Sequence, residues 1–295
     1  MIPTVLSIAG SDPSGGAGIQ ADIKAISANG AYAMAVITAL TAQNTRGVTA
    51  VELVAPAFVR AQLQALFADV RIDAVKIGML GSADIVLTLA ELLAQWRAGG
   101  ATAPIVLDPV MVAKGGDRLL TAAATTALRE QLLPLAEVLT PNLPEAAALL
   151  ERPEPELTAG ADGRAAMLEL AAGLQALGAR QVLLKGGHLG AGDSPDYLAL
   201  AGGGEWLEGP RHATGNTHGT GCTLSSALAA RLARGEELPT AARQAKAYVA
   251  GAIAGADALG IGSGHGPTHH FFALWASMRP GLDTVGYGES KKMSR

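Results

Sequence analysis

Cysteine occurs once in the 295 residues, at Cys222, so no internal disulfide can form. A chain so poor in cysteine fits a reducing compartment. Aromatic residues are only 4% and charged residues 16%, the latter against roughly 25% in typical globular chains. Lysine and arginine form no long run, and the formal net charge is −4. Binding to nucleic acid or to a membrane surface is therefore not expected. No apolar stretch reaches the about 18 to 20 residues of a membrane span. The opening MIPTVLSIAG has no basic segment ahead of its apolar run, as a secretory signal would. A cytoplasmic protein is the expectation.

The chain is rich instead in small aliphatic residues and in glycine: 49% hydrophobic, with 37 glycines. The glycines are not periodic in threes, and apolar residues surround them. That excludes collagen-like and disordered readings.

Short apolar runs alternate with longer segments of helical period. Candidate strands are Val5–Ala9, Ala35–Leu40, Ala74–Ile77, Ile105–Asp108, Val138–Thr140 and Val182–Lys185. Between them, Phe58–Val70 puts Val59, Leu63, Leu66, Phe67 and Val70 on one stripe, with Arg60, Gln64 and Asp69 facing away. Ser82–Arg97 follows, with Ser82 as N-cap, then Thr121–Leu133, Leu143–Glu151 and Gly163–Leu177. Strand, helix, strand at this spacing means repeated βαβ units and a mostly parallel sheet with helices on both faces. Tyr197–Pro210 reads as a hairpin around Gly202–Gly204. Residues 151–162 read as a surface loop before a helix. The expected layout is one domain over residues 1–280 and a polar tail over 281–295.

Ligands of such sheets bind beyond the carboxyl ends of the strands, so chemistry is sought there. The first strand runs into Gly10-Ser11-Asp12-Pro13-Ser14-Gly15-Gly16-Ala17-Gly18, a turn that brings backbone amides close to a ligand. It lacks the Lys and Ser/Thr of a P-loop, and its spacing fits a dinucleotide fingerprint poorly. Gln43 closes the next candidate strand region. Its amide carries both a donor and an acceptor and can pair with an aminopyrimidine edge. Asp108 and Glu145 put carboxylates at adjacent strand ends, as Mg²⁺ prefers; Glu145 is equally a first-turn helix acid. Lys185 could reach a phosphate or neutralise those carboxylates. Lys114 sits in a Gly-rich loop, either closing over a phosphate or merely solvated. Paired His269-His270 reads as structural, in a terminal helical pattern. Asn216-Thr217-His218-Gly219-Thr220-Gly221-Cys222, followed by an expected helix over Thr223–Arg234, is the strongest signal. Gly-Thr-Gly at a helix start aims free amides at one point and makes an anion hole. In the first turn the Cys222 thiol is expected to be lowered, giving a thiolate near neutral pH; the alternative is a small buried hydrophobe.

Taken together, AGSDPSGGAGIQADIK, ITALTAQNT, VRIDAVKIGML, VLDPVM, TPNLPEAAALL, KGGH, NTHGTGCTLS and GHGPTHHF resemble the ribokinase-like kinases. Within them they resemble the hydroxymethylpyrimidine/phosphomethylpyrimidine kinases of thiamine biosynthesis, in order and spacing, from about Ile8 to Phe272. The resemblance implies a three-layer α/β/α sandwich around a central, mostly parallel sheet, and ATP with Mg²⁺. It implies ATP-dependent phosphorylation of 4-amino-5-hydroxymethyl-2-methylpyrimidine and then of its monophosphate. The pyrimidine would be held by Asp22 and Gln43 against Met79 and Val110, near Gly10. Gly219, Thr220, Gly221 and Cys222 would form the anion hole, with Cys222 as base where many ribokinase-like enzymes carry Asp. Asn142 and Glu145 match an Asn-x-x-Glu motif for phosphate and metal, with Asp108 helping to place the metal. Lys185 and Lys114 fall to the nucleotide phosphates. A pyridoxal or pyridoxine kinase is the nearest alternative, and a non-catalytic pyrimidine sensor a more distant one. A homodimer is left open, with the Tyr197–Pro210 hairpin as a candidate interface.

Overall fold

The computed structural model describes residues 1–112, 116, 119–153, 161–187, 189 and 192–278. Lys114, His188 and the tail 281–295 lie outside the described residues.

Eight strands form the main sheet. Its parallel part comprises β1 (Thr4–Ala9), β2 (Tyr32–Ile37), β5 (Ala74–Ile77), β6 (Ile105–Leu107), β7 (Val138–Leu139) and β8 (Val182–Leu184). An antiparallel extension, β9 (Asp196–Leu200) and β10 (Gly203–Leu207), continues from β8. The spatial order is β10-β9-β8-β7-β6-β5-β1-β2. Chain order runs outward in two directions, with the reversal at β1 and β5. The remaining strands, β3 (Ala39–Asn44) and β4 (Gly47–Leu53), pair only with each other.

Helices cover both faces. On one face lie α2 (Pro56–Asp69), α3 (Ala83–Ala98), α4 (Ala122–Ala127), α5 (Leu143–Leu149) and α6 (Ala161–Ala176). On the other lie α1 (Gly18–Ala28), α7 (Thr220–Ala233) and α8 (Leu238–Ala254). A short α9 (Phe272–Ser277) ends the described chain. The pleat explains the sorting. Along β1, Leu6 and Ile8 enter the first core and Val5 the second; along β5, Val75 and Ile77 enter the first and Ala74 the second. Both faces are covered, so both sets of side chains are mostly apolar, as in parallel sheets generally, with Ser7 and Lys76 the polar exceptions on the second face of β1 and β5. The arrangement is the expected three-layer sandwich.

Local signals account for the helix ends. Ser82 caps α3, its Oγ accepting the Ile85 amide at 3.3 Å, with Asp84 in the first turn and Arg97 in the last. Pro56 occupies the start of α2, where a missing N–H costs nothing. Phe67 stacks on Trp96 at 5.0 Å between ring centres and joins α2 to α3.

Four expectations need correction. The candidate strand Ala35–Leu40 straddles two elements: β2 ends at Ile37, and a separate hairpin begins at Ala39. That hairpin bends out of the main sheet and exposes most of β4, so its apolar pattern is weak. The expected helix Thr121–Leu133 is α-helical only to Ala127, then widens into a π turn over Leu128–Leu132. The helix after the Gly-Thr-Gly motif begins at Thr220 rather than Thr223. His269 and His270 precede α9 instead of lying in it. Both are buried, and His270 Nε2 lies 3.1 Å from Thr223 Oγ1, which agrees with a structural role.

Leu89 of α3 is fully enclosed in the first core. Leu89→Ala should lower stability by about 2 to 5 kcal/mol, read as a reduced urea midpoint with an unchanged slope.

Candidate active site

A cavity of about 1170 Å³ opens at the carboxyl ends of the parallel strands. Gly10, Met79, Asp108, Val110, Asn142, Glu145, Lys185, Gly219, Thr220, Gly221 and Cys222 all line it, and Gln43 joins them from the hairpin. The sheet delivers these residues because adjacent strands end in register. Ile8 pairs with Ile77, Ile77 with Leu107, and Leu107 with Leu139. A parallel bridge then sets Asn142 beside Lys185.

Helix α7 opens at Gly219, whose φ of +74° is left-handed and whose missing Cβ would meet the Gly16 carbonyl. No other residue fits that position without strain. The first intrahelical bond runs from the Thr223 amide to the Gly219 carbonyl at 2.9 Å. Thr220 is already held at Thr217 through both its amide and its hydroxyl. The amides of Gly221 and Cys222 precede the helical ladder and so have no acceptor within it. Together with the helix dipole they give this turn the geometry expected of an anion-binding turn.

Two carboxylates seat this helix from either side. Ser225 Oγ lies 3.2 Å from Asp108 Oδ2, and Ser226 Oγ donates to Asp22 Oδ1 at 2.8 Å. Asp22 also accepts from Ser7 Oγ at 2.6 Å and from Lys76 Nζ at 2.9 and 2.8 Å. Ser7 and Lys76 are partners in the β1–β5 register and alternate onto the α1/α7 face. Asp22 and Lys76 are both fully buried. Burial opposes the Lys76 charge, but Asp22, with Cys222 and Asp108 adding to it, more than restores it, and the ammonium is held above its usual range. Asp22 is therefore not available to a pyrimidine. It lies outside the cavity lining, committed to a lysine and two serines, and the expected contact with substrate is withdrawn.

Lys185 Nζ donates to Asp108 Oδ1 at 2.9 Å and lies 3.7 Å from Glu145 Oε2. Burial opposes its charge, and Asp108 and then Glu145 more than restore it. Asn142 and Glu145 form a reciprocal capping box on α5. The Asn142 amide nitrogen donates to Glu145 Oε2, and the Glu145 amide nitrogen to Asn142 Oδ1, each at 2.8 Å. Burial pushes the Glu145 carboxyl up to about 7, eased by Lys185 and reinforced by Asp108. The first-turn acid and the site residue are thus the same group. Among the described residues no three metal-binding side chains cluster. A magnesium ion arriving with nucleotide phosphates needs only one or two carboxylates besides water, and Asp108 and Glu145, both facing Lys185, fit that need.

The expected thiolate is overturned. Burial pushes the Cys222 thiol up to about 11; Lys76 pulls it down, Asp22 and Asp108 push with the burial, and a hydrogen bond from the Gly18 amide pulls down. The helix start does not compensate for lost water and two nearby carboxylates.

Asp12, Thr41 and His218 are among the cavity residues that had no role assigned from sequence. His218 Nε2 lies 2.8 Å from Asp12 Oδ2 and 3.3 Å from Gln43 Nε2. His218 sits inside the Asn216–Cys222 motif and Asp12 inside the first Gly-rich turn, but 206 residues separate them. No local pattern could pair them.

The fold and this edge of the sheet define a ribokinase-like phosphotransferase. A sequence pattern described as phosphomethylpyrimidine kinase matches residues 12–269. The Escherichia coli (strain K12) hydroxymethylpyrimidine/phosphomethylpyrimidine kinase is 52% identical over 92% of this chain and 98% of its own. A Clostridium difficile 630 phosphomethylpyrimidine kinase structure is 40% identical, with TM-score 0.72, over 86% of this chain and all of that one. An ADP complex of Bacillus subtilis pyridoxal kinase is 37% identical, with TM-score 0.82, over 93% and 99%. The chain belongs to the phosphomethylpyrimidine kinase family.

Alkylation of Cys222 by iodoacetamide should accelerate with pH through 10 toward a midpoint near 11, with no plateau at about pH 8.5, where an ordinary thiol titrates. Mass spectrometry of the Cys222 peptide follows the reaction.

Proposed function

We propose that this enzyme transfers phosphoryl groups from ATP to 4-amino-5-hydroxymethyl-2-methylpyrimidine and then to its monophosphate, supplying the pyrophosphate used for thiamine. The carrying observation is the convergence of the Gly219–Cys222 helix start, the Lys185–Asp108–Glu145 cluster and the Gln43 amide on one cavity. Family membership supports the same reading.

In the proposed mechanism Gly10, Gln43, Met79 and Val110 hold the pyrimidine. The hydroxymethyl oxygen attacks the γ-phosphorus, a P–O bond to ADP breaks, and the amides at the start of α7 stabilise the charge on the transferred group. Lys185 and Lys114 serve the phosphates; Asn142 holds Glu145 in place. Mg²⁺, held through Asp108 and Glu145, would supply charge neutralisation for the phosphates. Cys222 takes the alcohol proton. With its thiol raised, only a small fraction is thiolate at neutral pH, so positioning and electrostatics carry most of the catalysis. The proposed setting is the cytoplasm. No helix among the described residues is long and apolar enough to cross a membrane.

The second reading, pyridoxal phosphorylation, is favoured by the structural likeness to a Staphylococcus aureus pyridoxal kinase in complex with AMP-PCP and pyridoxal, 32% identical with TM-score 0.80 over 92% of this chain and 94% of that one. Gln43 favours the aminopyrimidine instead. Side-by-side turnover of the two compounds decides: faster use of pyridoxal sinks the first reading.

The first transfer consumes a neutral alcohol, whereas the second consumes a phosphate oxygen that is already ionised. Cys222→Ala should therefore slow the first step about 10²- to 10⁴-fold and largely spare the second. The parent's first-step rate should rise with pH above neutrality, and the variant's should not. Mass spectrometry of mono- and diphosphate products, started from either substrate, reads both steps. A variant with near-parent first-step turnover removes the thiol as base.

A further inference from the structure

Gln43 stands in the cavity between two polar neighbours, Thr41 and His218, whose hydrogens can be assigned by elimination. Thr41 Oγ1 has one proton and lies 2.9 Å from the Ser11 carbonyl, which can only accept. That proton is spent there. The same oxygen lies 3.3 Å from Gln43 Oε1, so as placed two acceptors face each other. On the other side His218 Nε2 lies 2.8 Å from Asp12 Oδ2 and 3.3 Å from Gln43 Nε2.

The Asp12 carboxyl sets the histidine's polarity. Its two oxygens accept the amides of Ser14 at 2.9 Å and Ala17 at 2.8 Å. Burial alone would raise this carboxyl, but His218, Ser14 and Ala17 together hold it below the ordinary range. A carboxylate only accepts, so His218 Nε2 must carry a proton and donate it. A bare nitrogen at 2.8 Å would set two acceptors against each other, one of them charged. With Nε2 protonated, the Gln43 NH₂ group as placed meets another donor. Amide oxygen and nitrogen have nearly the same shape, and hydrogen bonding decides between them. Turning the amide over removes both conflicts: Oε1 then faces the His218 N–H, whose one proton goes chiefly to Asp12 at 2.8 Å and is shared with Gln43 at 3.3 Å as a three-centre bond, and NH₂ donates to Thr41 Oγ1. The imidazole packs on Gly16, where even a Cβ would collide with its ring. His218 is itself buried, with its backbone amide donating to the Gly266 carbonyl at 3.0 Å.

We propose that Asp12 and His218 are a positioning pair that fixes the polarity of the Gln43 amide and thereby determines specificity for an aminopyrimidine. The inference rests on the reading that Gln43 contacts the substrate ring. The locked amide presents an acceptor on its His218 side and a donor on its Thr41 side. An aminopyrimidine offers the complement, an exocyclic amine beside a ring nitrogen. Pyridoxal has no amine next to its ring nitrogen and cannot engage both atoms. An amide free to rotate would lose that distinction, because each ligand could select the orientation it needs.

Two measurements test the pair. In the intact protein, ¹⁵N-labelled histidine NMR should show His218 Nε2 protonated at neutral pH without substrate; an unprotonated Nε2 overturns the proposal. In kinetics, His218→Leu should lower kcat/KM for the aminopyrimidine about 10- to 100-fold, through KM, while kcat and the pyridoxal parameters stay within about 3-fold. His218→Gln, whose amide can still donate to Asp12, should restore most of the selectivity. Unchanged selectivity in His218→Leu overturns the proposal, as does an equal loss on both substrates through kcat. If His218→Leu does not fold, the NMR result on the parent decides alone. Failure of the kinase reading shows separately, as absence of turnover by the unaltered protein.

Discussion

The seating of helix α7 depends on a buried ion pair. Lys76 and Asp22 have no access to water, and two isolated charges in such a place would each be costly. They persist because each satisfies the other and because Ser7 and Ser226 donate to the same carboxylate. Ser226 is one turn beyond Cys222, so this bond fixes the start of α7 relative to β1 and β5. Ser225 meets Asp108 on the adjacent side. The anion-binding turn is thereby aimed at the strand ends by contacts outside the turn itself.

The same two carboxylates also work against the thiol that they position. Asp22 and Asp108 raise Cys222, while Lys76, Lys185 and the Gly18 amide favour its charged form. A site built to gather anions cannot also hold a thiolate cheaply when buried carboxylates sit beside it. In the proposed mechanism that balance moves the catalytic weight toward the helix amides and Lys185, in keeping with phosphoryl transfer as a reaction governed by positioning and electrostatics. It also separates the two chemical steps, since only the alcohol has a proton to remove.

Much of the sheet was legible because burial on both faces writes strands as continuous apolar runs. VLSIA and PIVLD are read correctly for that reason, and Ser82 is read as a cap because its hydroxyl has one obvious local task. The β3–β4 hairpin was illegible because its faces are largely exposed, so neither periodicity nor apolar runs mark it. The one available signal was the Asn44-Thr45-Arg46-Gly47 turn between β-branched residues. The glycine opening the helix after the Asn216–Cys222 motif was readable as a close-approach point, and Gly219 bears this out in its left-handed φ and its approach to the Gly16 carbonyl.

Sequence alone determined the order of elements, the edge of the sheet where ligands should meet, and most of the residues that gather there. Those features follow from local periodicity and from the rule that parallel strands present their carboxyl ends together. Tertiary structure decided what each polar group does. It turned Asp22 from a substrate contact into the partner of Lys76, made Asn142 and Glu145 a capping box as well as a site pair, and reversed the expected shift of Cys222. It also brought Asp12 to His218 across the chain. Charge, hydrogen-bond polarity and desolvation depend on neighbours in space, and a chain written in order does not carry them.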